Sequence, residues 1–345
     1  MKDITVILTG GTIGSDVKHG SIGISSGTTE SIIRMYKEEN GDAHNFDIAS
    51  PFTILSENLT PDDMNELLLY LKTIDTKECR GIIITHGSDT LSYTAAFLGS
   101  VLKDLIYCPI VLVAADKPPL VHGSNAYANF EGAVNLIDFL SLAGCYNDVF
   151  AVWQKGGSYN AYLGRELKEA DSAGDDFLAF GGMPFAEFLP QGISLTGNGY
   201  SWRVVINDLH DNRCEPVPDA DERMRILEKG INTDIRIKAV RPYPGFSYGD
   251  EDIENFDAVL VYGYHSGTFC TGEGAGRVKD DRLTFQALAG KCRESGKTLY
   301  VASFKEDETD VYESLKGMDG AKVKRLYDMS FEAAYANCLM LESLK

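Results

Sequence analysis

The sequence is short of positive charge. Its 32 lysines and arginines face 51 aspartates and glutamates, for a formal net charge of -19 at pH 7. Phosphate backbones are bound by neutralising them with Lys and Arg, so broad nucleic-acid binding is excluded on charge. Docking to anionic membranes is disfavoured for the same reason. No apolar run approaches 18 residues, so no transmembrane helix is expected. The first apolar run, 4–8, is too short for a signal-peptide core and enters a turn at once, which points to a cytoplasmic protein. The seven cysteines are odd in number, scattered and without a CxxC pair. Reduced thiols and no structural metal site follow. Internal repeats and low-complexity tracts are also lacking. What remains is ordinary: 44 % hydrophobic and 24 % charged residues, the proportions of a globular protein, which exclude disorder, collagen and coiled coil. A length of 345 residues allows about two domains.

Apolar runs at 4–8, 81–85 and 110–114 are bounded by turn residues and read as buried strands. Their continuous rather than alternating character suits a parallel sheet covered on both faces. Helical patterns fall at 61–71, with Thr60 as cap and Asp63 three residues on, and at 91–105. This β-α-β alternation predicts a doubly wound α/β domain. From about 192 to 233 the chain turns polar and proline-rich, and apolar patterning resumes at 235–240, 258–262 and 298–303. Helices are expected at 284–296 and at 331–344, the latter capped by Ser330. The expectation is α/β with two domains: a larger N-terminal doubly wound, mostly parallel sheet over 1–205, a linker at 206–232, and a smaller C-terminal α/β domain over 233–345.

Ligands of open parallel sheets bind at the carboxyl ends of the strands. The loops after Leu8, Thr85 and Ala114 should therefore converge. The first reads Thr9-Gly10-Gly11-Thr12-Ile13-Gly14. Its paired glycines allow a sharp turn and a close backbone approach, presenting Thr12. It is no phosphate loop, because neither Gly-Lys-Ser/Thr nor GxGxxG follows. A plain strand-to-loop turn explains the spacing equally well. The second reads Thr85-His86-Gly87-Ser88-Asp89-Thr90 and opens a helix. Asp89 suits the helix dipole and would cap free N–H groups. Capping alone leaves the neighbouring hydroxyl and imidazole unexplained. The third runs Ala115-Asp116-Lys117-Pro118-Pro119, then Ser124-Asn125 and Asn129-Phe130. Lys117 reads as a surface charge.

The first two motifs together resemble the bacterial-type L-asparaginase family, which carries TGGTI and HGTDT at these places. Ser56-Glu57-Asn58-Leu59-Thr60-Pro61 resembles that family's substrate-binding segment. Lys117-Pro118-Pro119 with Ser124-Asn125-Ala126 and Asn129-Phe130 is similar to its RPP…SDG…NL stretch. Pro244-Gly245 and Asp328-Met329-Ser330-Phe331-Glu332-Ala333-Ala334 resemble its C-terminal signatures. The resemblance implies hydrolysis of the L-asparagine side-chain amide, with glutamine a further substrate, through a threonine nucleophile and an acyl-enzyme. It implies Thr12 as nucleophile, Ser88 as the second hydroxyl, and Asp89 as both amino-group ligand and relay aspartate. Lys168 is the best match for the relay lysine, one residue off the family's spacing from the preceding glycine. Gly11, Ser56, Glu57 and Gly87 would line the substrate. No metal or organic cofactor is implied, and a homodimer or homotetramer is.

Three positions depart from the family. Ser88 replaces threonine, keeping the hydroxyl and losing the methyl that fixes its rotamer. Glu57 stands where the family has Gln or Ser, which favours an ammonium and disfavours an α-carboxylate. The segment 15–26 contains no tyrosine, where the family has a nucleophile-activating one; Ser21 and His19 are the candidates to replace it. Residues 264–268 are read as a neighbour to the site, a subunit contact or a plain turn, and the acidic run 306–308 as a solvated face, with supply of a carboxylate to a neighbouring site as the other reading. Two other readings stay open. One is a catalytically silent amino-acid-binding descendant, which the missing tyrosine favours. The other is the amidase subunit of a tRNA-dependent amidotransferase, which carries an extra N-terminal domain that the few residues before Thr12 do not supply.

Overall fold

The computed structural model describes residues 3–18, 21–24, 28–144, 147–196, 217–272, 278–304 and 323–345. The chain divides into two compact units, 1–208 with 223–230, and 209–222 with 231–345. The stretch 206–232, expected as linker, contains a helix, Ala220–Lys229. Its buried Arg223 and Ile226 belong to the first unit.

The first unit is built on strands β1 (Ile4–Leu8), β4 (Phe46–Ala49), β5 (Gly81–Thr85), β6 (Ile110–Val113), β7 (Val149–Lys155), β8 (Ser158–Leu163), β11 (Ala186–Leu189) and β12 (Gly192–Leu195). They form one sheet in the order β12-β11-β8-β7-β6-β5-β1-β4. From β4 to β7 all pairs are parallel; from β7 to β12 all are antiparallel. Two hairpins stand apart: β2 (Ser15–Lys18) with β3 (Ser21–Ile24), and β9 (Leu167–Asp171) with β10 (Asp176–Ala179).

Ile82, Ile83 and Ile84 are each fully buried, so successive side chains of β5 point into two different cores. One face packs on α1 (Thr28–Asn40) and α4 (Ala126–Ala143), where Ile4, Val6, Ile83, Val111 and Phe150 meet Ile32, Tyr36 and Phe130. Each such side chain stabilises the unit by about 1.5–3 kcal/mol. The other face meets α3 (Leu91–Leu102), which packs on β7 and β9 and is buried nearly all round. Helix α2 (Pro61–Lys72) packs on α3. Its start is as the sequence predicts: Thr60 and Asp63 form a reciprocal capping box, with proline in the first turn. Helix α3 stops three residues short of the expected 105, where Asp104 adopts a left-handed φ of 62°.

After α5 (Ala220–Lys229), the second unit holds four parallel strands in sequence order: β13 (Ile237–Val240), β14 (Ala258–Tyr262), β15 (Thr298–Phe304) and β16 (Val323–Tyr327). Helix α6 (Phe285–Glu294) covers one face and α7 (Phe331–Ser343) the other. Ser330 caps α7, its hydroxyl accepting from the Ala333 N–H at 3.1 Å. Both units are thus α/β, and the mostly parallel larger sheet agrees with expectation. Among the described residues no helix is long and apolar enough to cross a membrane.

Candidate active site

Strand β1 delivers Thr9 to the carboxyl edge of the sheet, where its buried hydroxyl donates to the Thr85 carbonyl at 2.6 Å. The backbone then turns through Gly10 and Gly11, at φ 103° and 75°. These are values L side chains avoid. Gly11 N–H donates to the Ile54 carbonyl at 3.2 Å, which aligns the loop with the segment leading to Ser56. Thr12 follows, half-buried, at the head of a single 3-10 turn.

The second loop lies against the first. A methyl group built on Gly11 would sit 2.3 Å from the Gly87 nitrogen. One built on Gly87 would sit 2.2 Å from Ser56 Oγ. Only glycine at both positions lets the three segments touch. Ser56 Oγ donates to Asp89 Oδ2 over a long 3.5 Å, and Thr90 Oγ1 donates to the Ser56 carbonyl at 2.9 Å. Ser56 is buried, Ser88 half-buried, and Glu57 and Asp89 are exposed. The structure therefore gathers Gly11, Thr12, Ser56, Glu57, Gly87, Ser88 and Asp89 on three adjoining segments. The helix cap differs from the sequence reading. The residue at the N-cap of α3 is Thr90, not Asp89, and it makes no side-chain cap bond. Asp89 is left to face Ser56.

His86 braces this loop from below. It is 2 % exposed, and its Nδ1 lies 2.8 Å from the Gly87 carbonyl. A carbonyl only accepts, so Nδ1 carries the proton, and Nε2 accepts from Thr94 Oγ1 at 2.9 Å. Burial lowers the imidazole pKa below its ordinary 6.5, against the Gly87 bond that raises it. The unfolded chain therefore takes up a proton near pH 6.5 before the folded one does. Stability present above pH 6.5 is lost as pH falls below it toward the folded pKa. The expected loss is up to about 1.4 kcal/mol per pH unit from this one group. Melting temperatures of wild type and His86→Gln between pH 8 and 5 check it. The variant should show the shallower slope.

The end of β6, from which the third loop leaves, pairs with the second loop through the His86 N–H, which donates to the Val113 carbonyl at 2.8 Å. Lys117 is exposed, as expected. Lys168 sits on β9, half-buried, opposite Leu178 in the β9–β10 hairpin. That hairpin starts hard against α3, since a methyl on Gly164 would lie 2.5 Å from the Ala95 carbonyl. No hydrogen bond or ion pair joins Lys168 to Ser88 or Asp89 among the described residues. Of the candidates for the missing tyrosine, His19 lies outside the described residues, and of Ser21 only the backbone, in β3, is described. Residues 306–308 also lie outside them. Residues 264–268 form a tight turn in the second unit, with Gly267 N–H on the Tyr264 carbonyl at 2.8 Å. Sequence reasoning passed over Lys155, which ends β7 and pairs with Asp116 at 2.8 Å. Its signal was a lysine closing a buried strand just before Gly156-Gly157. Two hollows lie away from these loops: a cavity of about 300 Å³ beside Cys292 in the second unit, and an open surface groove between α1 and Ile48 of β4.

Residues 3–144, which hold all three loops, match the family model for the asparaginase N-terminal domain. Residues 3–144 form an asparaginase N-terminal domain. Over most of its length the chain is also similar to the D subunit of the glutamyl-tRNA(Gln) amidotransferase of Methanosphaera stadtmanae, at 24 % identity over 98 % of this chain and 71 % of that protein. The same subunit from Methanothermobacter thermautotrophicus is 24 % identical over 88 % of this chain and 62 % of its own length. That from Saccharolobus islandicus is 32 % identical over 41 % of this chain and 30 % of its own. The match thus spans less than two thirds of these last two relatives. In fold, the chain is similar to the thermostable L-asparaginase from Thermococcus kodakarensis, with a TM-score of 0.70 at 19 % identity, over 99 % of this chain and 95 % of that one. It is similar to L-asparaginase I from Vibrio cholerae, with a TM-score of 0.67 at 21 % identity, over 99 % and 93 %. It also resembles a probable cytoplasmic L-asparaginase from Campylobacter jejuni, with a TM-score of 0.68 at 16 % identity, over 99 % and 94 %.

Proposed function

We propose that this chain is a cytoplasmic amidohydrolase that converts L-asparagine to aspartate and ammonia, with Thr12 as nucleophile. The observation that carries the reading is the glycine-enforced contact of the loops bearing Thr12, Ser56 and Ser88-Asp89. Thr12 Oγ attacks the amide carbon. A hydroxyl is a weak nucleophile at neutral pH and needs a base to take its proton. Ser88, Lys168 and Asp89 are the proposed relay. The carbon–nitrogen bond breaks, the nitrogen takes up the proton, and ammonia leaves an acyl ester on Thr12. Water then adds to the ester carbon, its proton returns to Thr12 Oγ, and aspartate is released. No redox step is involved.

Developing negative charge on the amide oxygen needs fixed donors, each worth about 2.7–4 kcal/mol in comparable sites. The Gly87–Ser88 peptide suits this role. Its carbonyl is held by His86. In a planar trans peptide the Ser88 N–H points away from that carbonyl and so away from the His86 ring. Ser56 and Asp89 offer a hydroxyl and a carboxylate to the substrate's polar groups, and Glu57 biases the site toward an ammonium. The same family fold in a homodimer or homotetramer is part of this reading.

A second reading, the amidase subunit of a tRNA-dependent amidotransferase, draws on the amidotransferase relatives. A charge of -19 makes direct RNA contact by this chain unfavourable, so RNA would fall to a partner protein. The deciding experiment is ammonia release by the isolated chain with L-Asn, L-Gln and D-Asn, beside a thermal-shift series with Asn, Asp, Gln and Glu. Turnover of L-Asn is expected. Stabilisation without release from any amide would favour a silent binding protein.

A further inference from the structure

The mechanism leaves one buried ion pair at the same strand edge without a use. The Asp116 side chain is 7 % exposed. An ionised carboxylate in that position is costly unless it is both paired and hydrogen-bonded. It has both. Lys155 Nζ donates to Oδ2 at 2.8 Å, and the Asn125 N–H donates to Oδ1 at 3.1 Å. Burial pushes the carboxyl pKa up, but the Lys155 and Asn125 bonds outweigh it and hold it below the usual range. The Asp116 bond in turn raises the Lys155 pKa, so both groups stay charged at neutral pH.

The pair closes a ring of side chains. Asn125 Oδ1 accepts from the Asp116 N–H at 2.8 Å, and Asn125 Nδ2 donates to the Gln154 carbonyl at 2.7 Å. Gln154 N–H donates to Asn129 Oδ1 at 2.8 Å, and Asn129 Nδ2 donates to the Ala114 carbonyl at 2.9 Å. Lys155 is the next residue after Gln154. The ring therefore ties the loop after β6 to the end of β7 and the first turn of α4. A weaker contact, 3.4 Å to the exposed Asp175, links Lys155 to the turn of the hairpin that carries Lys168.

The loop so held leaves β6 at Val113, whose carbonyl accepts from the His86 N–H of the loop bearing Ser88 and Asp89, and its first residues, Ala114 and Ala115, are fully buried. Two other carboxylates, Glu57 and Asp89, already face outward from these segments. An unpaired third would repel any substrate carboxylate. We propose that Asp116 and Lys155 are a positioning pair: Lys155 fixes the 114–125 loop as a wall of the site and cancels the Asp116 charge there. The wall's role in substrate binding rests on the amidohydrolase reading above.

Hydrogen exchange at the Asp116 and Asn125 amides, read beside steady-state ammonia release, tests this in Lys155→Met, Lys155→Arg and the double variant Asp116→Asn/Lys155→Met. In Lys155→Met the buried carboxylate loses its partner, and exchange at both amides should quicken by about tenfold or more. The KM for L-Asn should rise about tenfold, with a smaller change in kcat. Lys155→Arg keeps the charge and should stay near wild type. The double variant should recover both readouts, because a carboxamide at 116 still accepts from the Asn125 N–H and carries no charge. A merely structural lysine would lower the melting temperature and leave KM unmoved. Unchanged exchange in Lys155→Met overturns the loop's dependence on the pair. Quickened exchange with unchanged KM, or a double variant as impaired as the single one, overturns its role at the site. Exchange is read on the protein alone. A wild type that releases no ammonia would sink the amidohydrolase reading and leave the exchange arm to decide the pair.

Discussion

Thr12→Ala is expected to lose ammonia release from L-asparagine by about a thousandfold or more, because the acyl-enzyme cannot form without the hydroxyl. Stability should barely change. Thr12 is half-buried, and none of the hydrogen bonds described for the loop uses its side chain. A substitution of that kind costs within about 1 kcal/mol. Thr9, three residues earlier, is the threonine that serves the scaffold, being 1 % exposed and bonded to the Thr85 carbonyl. The two therefore separate chemistry from scaffold within one short loop. Ser88→Ala should fall by a comparable factor, since it removes the proposed path for the Thr12 proton. Thr12→Ser keeps the oxygen and should retain measurable turnover. The assay is ammonia release at saturating L-Asn, paired with a melting curve for each variant. Near-wild-type release by Thr12→Ala would show that the nucleophile is another group.

The parts of this fold that were legible in the sequence are those with a local cause. Strand β5 is a run of three isoleucines between turn residues, and its burial on both faces could be read from that. The Thr60–Asp63 capping box and the Ser330 cap are likewise local patterns. The glycine pairs of the two motifs marked where backbone must approach backbone. What escaped was set by contacts distant in sequence. Strands β11 and β12 are four residues each and bury one residue between them, Ala186, too short and too exposed a pattern to stand out from the turns around them. Helix α5 buries only Arg223 and Ile226, too little to stand out from a polar connection. Asp89 has the residue type and place of a cap, yet its bonding partner is Ser56, 33 positions away. The pairing of Lys155 was hidden for the same reason: its partner Asp116 lies 39 positions back.

Gly11→Ala should be the most damaging single-methyl change in the first unit, and the contacts say why it exceeds an ordinary glycine replacement. At φ 75° an alanine is strained by about 1–2 kcal/mol through its backbone alone. Gly41 measures that part by itself. Its φ is 65°, and a methyl there meets nothing within 4 Å. Gly41→Ala should therefore cost about 1 kcal/mol and leave ammonia release unchanged. At Gly11 the same methyl lands 2.3 Å from the Gly87 nitrogen and 2.4 Å from the His86 carbonyl carbon. Both are backbone atoms, and His86 is itself fixed by Thr94 and by the Val113 carbonyl, so neither can swing aside. The loops must part by about an ångström or more, and displacement on that scale costs about a hundredfold in rate even when every catalytic group remains. Gly11→Ala is thus expected to lose at least about 3 kcal/mol of stability, strain and overpacking together, and most of its turnover. Melting curves and kcat for the two variants side by side read out the difference. Equal losses for Gly11→Ala and Gly41→Ala would mean that the first two loops do not touch as the structure has them, and the grouping of Thr12 with Ser88 and Asp89 would fall with that contact.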